Sequence, residues 1–196
     1  MKKLKKINGK LLAADIAECA VFAALMVAGA YITIPIPVVP LSFQTVISVL
    51  AGILLGWKKG AISMTVYCAA GLIGIPVFTQ GGGIFYVLKP SFGYILGFIL
   101  GAAVSGLIAG KSNLPLWRYI VGALAGFLAD YLVGIPYCLV AAYLASPAVD
   151  LWKLFVTGGL IFMPKDAVLS VLAALLAWRV MPYVGKNRKA TKVEKD

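Results

Sequence analysis

Apolar residues run through this chain in long blocks, broken by short connections rich in Pro, Gly and Lys. Six blocks stand out, at about 14–34, 41–57, 60–76, 91–110, 117–144 and 164–182. A bilayer core about 30 Å thick needs roughly 17–25 apolar helical residues, and these blocks reach or approach that length. The second and third are short and call for tilt or anchoring flanks. The fifth is long and holds Gly134 and Pro136, which predicts a kink or an early end. Backbone groups in hydrocarbon must pair within their own segment, so each block reads as a helix. The blocks are too long and continuous for barrel strands. The fold class expected is an all-α integral membrane protein with six transmembrane helices. A basic tail at 1–13 precedes the membrane domain at 14–182, and a second basic tail follows at 183–196.

Charge then orients the bundle. With both termini cytoplasmic, fifteen of the 18 Lys and Arg residues flank the inner helix ends. Only Lys89, Lys153 and Lys165 fall on the outer side, the asymmetry that cytoplasmic loops carry. Trp57, Trp117 and Trp178 fall at inner boundaries, as interfacial aromatic residues do. Asp15 and Glu18, close to the inner surface, are expected to pair with the basic tail. This distribution accounts for the net charge of +11 without any nucleic-acid partner.

Composition agrees. Hydrophobic residues make up 62% and charged residues 13%, against about 45–50% and about 25% in soluble domains. The N-terminus imitates a signal peptide but has no convincing cleavage site, and reads as a retained first helix. The chain has no histidine, so it lacks the commonest general base. Cys19, Cys68 and Cys138 lie inside apolar runs at spacings that fit no metal site, and read as packing residues. No nucleotide loop, zinc motif or nucleophile elbow is present. An enzyme is therefore not expected, nor a metal or a resident cofactor. ATP-driven work would need other subunits.

Three connections face outward in this topology, each apolar for a water-facing loop: Thr33 to Thr45, Val77 to Tyr94, and Ser146 to Ser170. Pro35, Pro37 and Pro40 stiffen the first, which should lie extended over the helix ends. The second contains Gly81, Gly82 and Gly83, which allow either a flexible turn or close backbone approach to a ligand. Phe78, Thr79, Gln80 and Tyr86 lie beside the glycines. Together with Tyr94 and Tyr137, the aromatics here read as belt or core residues, or as pocket walls. Asp166, after Pro164 and Lys165, suits a helix start; it also reads as an acceptor for ligand N–H groups. Gln44 both donates and accepts. Lys89 and Lys165 either snorkel to the surface or pair with an anionic ligand group, with glycine-loop N–H groups assisting.

Asp130 sits near the middle of the fifth block, where an ionisable residue is costly and a functional candidate. It reads equally as protonated, or as paired with Tyr131 or a residue toward the inner side. Ala20, Ala24 and Ala28 put small side chains on one face of the first helix, suited to close helix approach. Gly93, Gly97 and Gly101, and Gly52 with Gly56, do the same and read as internal packing.

The runs "IPIPVVPLSFQTVISVLAGILLG", "GLIGIPVFTQGGGIFYVLKPSFGYILGF" and "YLVGIPY" resemble the BioY family, the biotin-specific S component of energy-coupling factor (ECF) transporters. The likeness covers roughly 15–182. It rests on the Pro-rich loop before Gln44, on Gly-x-x-Gly-x-Pro-Val-Phe from Gly71 to Phe78, and on Pro-Ser-Phe-Gly-Tyr from Pro90 to Tyr94.

The resemblance implies a multi-pass protein of a prokaryotic cell membrane that captures biotin from outside. Its partners would be membrane lipid, a transmembrane coupling subunit and two cytosolic ATPases. It carries Ala20 and Ala24 over as the face toward the coupling subunit, and puts the pocket under the first outer loop and the glycine loop. Family members often read Pro-Gly-Asp-x-x-Lys at the sixth helix start. Here "PKDAVL" puts Lys165 in place of the glycine and Leu169 in place of the lysine. Either Lys165 or Lys89 then takes the anion contact, or that contact is weaker. The alternatives are a stand-alone secondary carrier with Asp130 as a proton-coupling carboxylate, and an S component for another vitamin.

Overall fold

A computed structural model describes residues 13–34, 39 and 41–193, with side chains not described at 34, 41 and 185–193. The expected N-terminal tail and Pro35, Pro37 and Pro40 lie outside the described residues. Helix α1 is Ala13–Tyr31, followed by a two-residue antiparallel pair in which β1 (Thr33–Ile34) meets β2 (Leu41–Ser42) with Thr33 opposite Ser42. Next come α2 (Gln44–Leu55) and α3 (Trp57–Leu72). Then follow a 3₁₀ turn at Ile84–Leu88, α4 (Phe92–Ala109) and α5 (Leu116–Ala145). Helix α6 (Leu151–Gly158) and a 3₁₀ turn at Leu160–Phe162 lead into α7 (Met163–Val193).

The protein is helical, and among the described residues four helical stretches are long and apolar enough to cross a membrane: Ala13–Tyr31, Phe92–Ala109, Leu116–Ala145 and Leu151–Val184. Helix α2 is apolar but has 12 residues, about 18 Å at 1.5 Å per residue. Its partner α3 follows after one residue, Gly56, whose φ of +82° turns the chain at a position an L side chain would strain.

Helices α4 and α5 form the tightest pair. A Cβ at Gly97 would collide with the Asp130 carboxylate and backbone. Gly93 and Gly101 lie against Tyr137 and Gly126 in the same way, so this glycine face is a packing surface. The main core is aromatic, built on Tyr67, Phe78, Tyr86, Phe92, Tyr94, Phe98, Phe127 and Tyr131. It fills the end of the bundle where α2, α4 and α7 begin, which we term the capped end. A smaller cluster of Val49, Ile53, Tyr119, Ala174 and Met181 fills the opposite end.

Three features differ from the sequence expectation. Helix α5 neither ends nor breaks at Gly134 or Pro136 and runs through to Ala145. One missing N–H and one ring clash do not stop a helix whose other groups stay paired among tightly packed neighbours. The connection from Ser146 to Ser170 contains α6, whose start is capped by Asp150 accepting from the Lys153 N–H at 2.9 Å. Helix α7 continues beyond 182 to Val193, with Pro182 inside it. Charge ends an apolar block there, but Lys, Arg and Ala favour helix.

Candidate functional site

The sixth apolar block opens at the capped end with Pro164, Lys165 and Asp166 in the first turn of α7. Pro suits this position because its missing N–H is not needed. Asp166 is 4% exposed. The Tyr131 hydroxyl from α5 donates to its Oδ2 at 2.6 Å, and Lys165 Nζ lies 2.7 Å from its Oδ1. The same ammonium donates to the Ser42 carbonyl at 2.6 Å. Lys165 thus joins the returning strand of the first loop to α7, and two of its three N–H donors are engaged.

A second network begins at Gln44. Its amide N–H₂ donates to the Tyr67 hydroxyl at 2.6 Å and to the Met26 carbonyl at 3.3 Å. Its carbonyl oxygen accepts from the Ser42 hydroxyl at 3.4 Å. Tyr67 passes its own proton to the Val77 carbonyl at 3.1 Å. The amide therefore binds α1, α2, α3 and the second loop together and keeps an acceptor position on its oxygen.

Between these networks lies a small cavity. Its polar wall is Ser42, Gln44, Thr45, Tyr67, Lys165 and Asp166. Thr79, Tyr86 and Ser91 close it under the second loop, and Tyr94, Ile95, Phe98, Tyr131, Phe162 and Val39 supply the apolar surface. Tyr86 is hydrogen-bonded to Ser91 at 3.3 Å and to Thr79 at 3.2 Å. The cavity volume is about 40 Å³. That is room for roughly three waters and well below a pocket of drug-sized dimensions, so a larger ligand must displace part of the lining.

The sequence-expected residues divide. Gln44, Thr79, Tyr86, Lys165 and Asp166 line the cavity. Phe78 stands behind it, buried between the rings of Tyr67 and Tyr86 at centroid distances of 5.4 and 4.5 Å. Lys89 points elsewhere: its Nζ donates to the Gln80 carbonyl at 3.0 Å and sits 4.8 Å from the Tyr86 ring centroid. Tyr137 donates to the Val87 carbonyl and so braces the 3₁₀ turn from outside.

The glycine run is a brace as well. Phe78 and Gly81 exchange backbone hydrogen bonds, and the Gly83 N–H donates to the Gly71 carbonyl at 2.7 Å. Gly81 and Gly83 have φ near +104° and +105°, and a Cβ at Gly82 would meet the Ile75 carbonyl. The Gly81 N–H is thus spent within the loop and the Gly83 N–H on the end of α3, so neither reaches toward an anion.

Other expectations shift in pairing. Asp130 does not meet Tyr131, which turns to Asp166; instead the Thr45 hydroxyl donates to Asp130 Oδ2 at 2.9 Å. Asp15 and Glu18 each pair with Lys59 of α3, at 2.7 and 2.6 Å, at the opposite end of the bundle. The tail they were expected to meet lies outside the described residues. The three cysteines are free, and no group of metal-ligating side chains occurs among the described residues. Ala20, Ala24 and Ala28 are exposed along α1.

Several lining residues escaped the sequence reading: Ser42, Thr45, Tyr67, Ser91, Ile95, Phe98 and Phe162. A signal existed for some. Ser91, Tyr94, Ile95 and Phe98 follow the i, i+3, i+4, i+7 spacing of one helix face. Tyr67 and Phe162 carry no such local mark.

In chemical terms the cavity offers a carboxylate, an amide oxygen and a hydroxyl as acceptors, one ammonium, and aromatic walls. It suits a small, partly apolar molecule with N–H donors and an anionic group.

A family profile described as BioY matches residues 1–186. A probable biotin transporter BioY of Lysinibacillus sphaericus is 41% identical over 181 residues, covering 90% of this chain and 92% of that protein. The biotin transporter BioY of Thermotoga maritima is 36% identical over 164 residues, covering 83% of this chain and 93% of its own. Among solved structures, the S component for biotin from an ECF-type ABC transporter superposes with a TM-score of 0.70 at 25% identity. That likeness covers 85% of this chain and 90% of the other.

Proposed function

Because this chain belongs to the BioY family, we propose that the cavity under the two loops is where it holds biotin. The protein is the substrate-binding subunit for biotin uptake, a transporter component and not an enzyme. The observation that carries the site assignment is the buried Tyr131–Asp166–Lys165 group at the head of α7. It supplies a fixed acceptor for a ureido N–H and an ammonium with one free donor for the ligand's anionic end. Gln44 and Thr45 add acceptors, and the rings of Tyr94, Phe98 and Phe162 face the apolar portions.

In the wider reading, six helices span a prokaryotic cell membrane with both termini in the cytoplasm, and the capped end faces outside. The clustering of Lys and Arg at the opposite helix ends supports this orientation. Uptake is driven by an ECF module, a transmembrane coupling subunit with two cytosolic ATPases. The exposed alanines Ala20 and Ala24 form the face toward the coupling subunit. Capture and release then reflect two states of different affinity, biased by the partner.

The direct test is calorimetry of the purified protein in detergent with biotin, and with riboflavin and thiamine as controls. Saturable binding of biotin alone is the expected result. Binding of another vitamin in its place would reassign the ligand.

A further inference from the structure

Asp130 is fully buried in the middle of α5, and its Oδ1 has no hydrogen-bond partner. Its other oxygen, Oδ2, accepts the Thr45 hydroxyl proton at 2.9 Å. Thr45 is itself part of the cavity wall, while Asp130 is not. A threonine hydroxyl has one proton and two lone pairs. Once the proton is committed to Asp130, the hydroxyl can only accept from anything on its other side. This holds while Oδ2 itself carries no proton, since a protonated Oδ2 would donate to Thr45 instead. The glycine face of α4 lets the carboxylate sit there: a side chain at Gly97 would occupy the Oδ1 position. An ionisable group held this deep is costly, and its one hydrogen bond goes to Thr45 in the first turn of α2.

We propose that Asp130 is a positioning residue that fixes the polarity of Thr45, so that Thr45 presents a pure acceptor to one ring N–H of the ligand and thereby sets specificity. The inference rests on the biotin reading above. A site with a free hydroxyl would accept a ring oxygen or a ring N–H alike, since the hydroxyl would rotate to suit. With its proton locked, Thr45 meets a ring oxygen lone pair to lone pair and rejects it. Sites that bury polar groups gain most of their discrimination from leaving the wrong partner unpaired.

The test uses biotin and two cyclic carbamate analogues, in which one or the other ureido N–H is replaced by ring oxygen at nearly constant shape. For the wild type, one analogue should bind at least about tenfold more weakly than biotin, the scale of one lost hydrogen bond with an acceptor left unpaired. In Thr45→Val and in Asp130→Leu that ratio should fall to within about threefold, because the committed acceptor is gone. Thr45→Ser, which keeps the hydroxyl, should restore the wild-type ratio. A wild-type ratio near one for both analogues overturns the proposal, as does an unchanged ratio in Thr45→Val. A merely structural role would lower affinity for all three ligands together and leave the ratio untouched. Thermal melting in detergent checks each variant, and if Asp130→Leu does not fold, the Val and Ser pair at Thr45 still decides. Failure of the wild type to bind biotin at all would instead strike the reading on which the inference rests.

Discussion

Lys165 and Asp166 are adjacent in sequence and yet ion-paired, with Nζ 2.7 Å from Oδ1. Neighbouring side chains on a helix normally diverge. They meet here because the lysine stem bends back toward the cavity, where the Ser42 carbonyl takes a second N–H at 2.6 Å. The pair is mostly out of water, so its charge is screened less than at a surface.

Lys165 should therefore carry the anion contact, and Lys89 should not. Lys165→Met is expected to weaken biotin binding about 10- to 150-fold, from roughly 1.5–3 kcal/mol for a lost charged hydrogen bond. Lys89→Ala should change it less than about threefold, since its partners are the exposed Gln80 carbonyl and the Tyr86 ring. Calorimetry with both variants checks the assignment; the reverse order would transfer the role to Lys89.

Asp166→Ala should also cost about 1.5–3 kcal/mol of binding. Tyr131→Phe keeps the ring and removes only the donor to Asp166. It should cost about 1 kcal/mol, less than loss of the carboxylate itself, by loosening that group. Equal losses in the two variants would mean that Tyr131 contacts the ligand itself.

Gly97→Val should unfold or rearrange the α4–α5 pair, because the new atoms would overlap the Asp130 carboxylate and its backbone. Overpacking costs about 1–3 kcal/mol, and here backbone cannot yield easily. A lower melting temperature or loss of a monodisperse peak in detergent is the readout. Wild-type melting would show that the helices can part.

Ala20→Trp and Ala24→Trp should leave biotin binding intact and abolish co-purification with the coupling subunit. Both positions are exposed on α1 and neither lines the cavity. Retained assembly would remove this face from the interface.

The apolar blocks were legible because hydropathy is a local property: α4 at Phe92–Ala109 differs little from the expected 91–110. Asp166, buried in the cavity wall, stood out because a carboxylate after Pro at a block's edge is rare in so apolar a chain. What the sequence could not supply was partnership. Asp130 lies beside Tyr131 in the chain but turns to Thr45, 85 positions away, and nothing local encodes which helix faces which. Helix α6 was hidden for a different reason, being too short to register as an apolar block. The glycine run drew attention as a ligand contact, but its positive φ values serve a turn over the end of α3.

The chamber beneath the loops is small, about 40 Å³, and Lys165 ties its rim to the Ser42 carbonyl. The latch that Lys165 fastens to Ser42 uses the very ammonium that an incoming carboxylate would seek. With one of its three N–H donors left over, a carboxylate that took a second would draw on the donor that holds the latch, and association should be gated by how often that latch springs open. Stopped-flow binding should then saturate with ligand concentration instead of rising linearly, and cutting the latch should quicken both capture and escape.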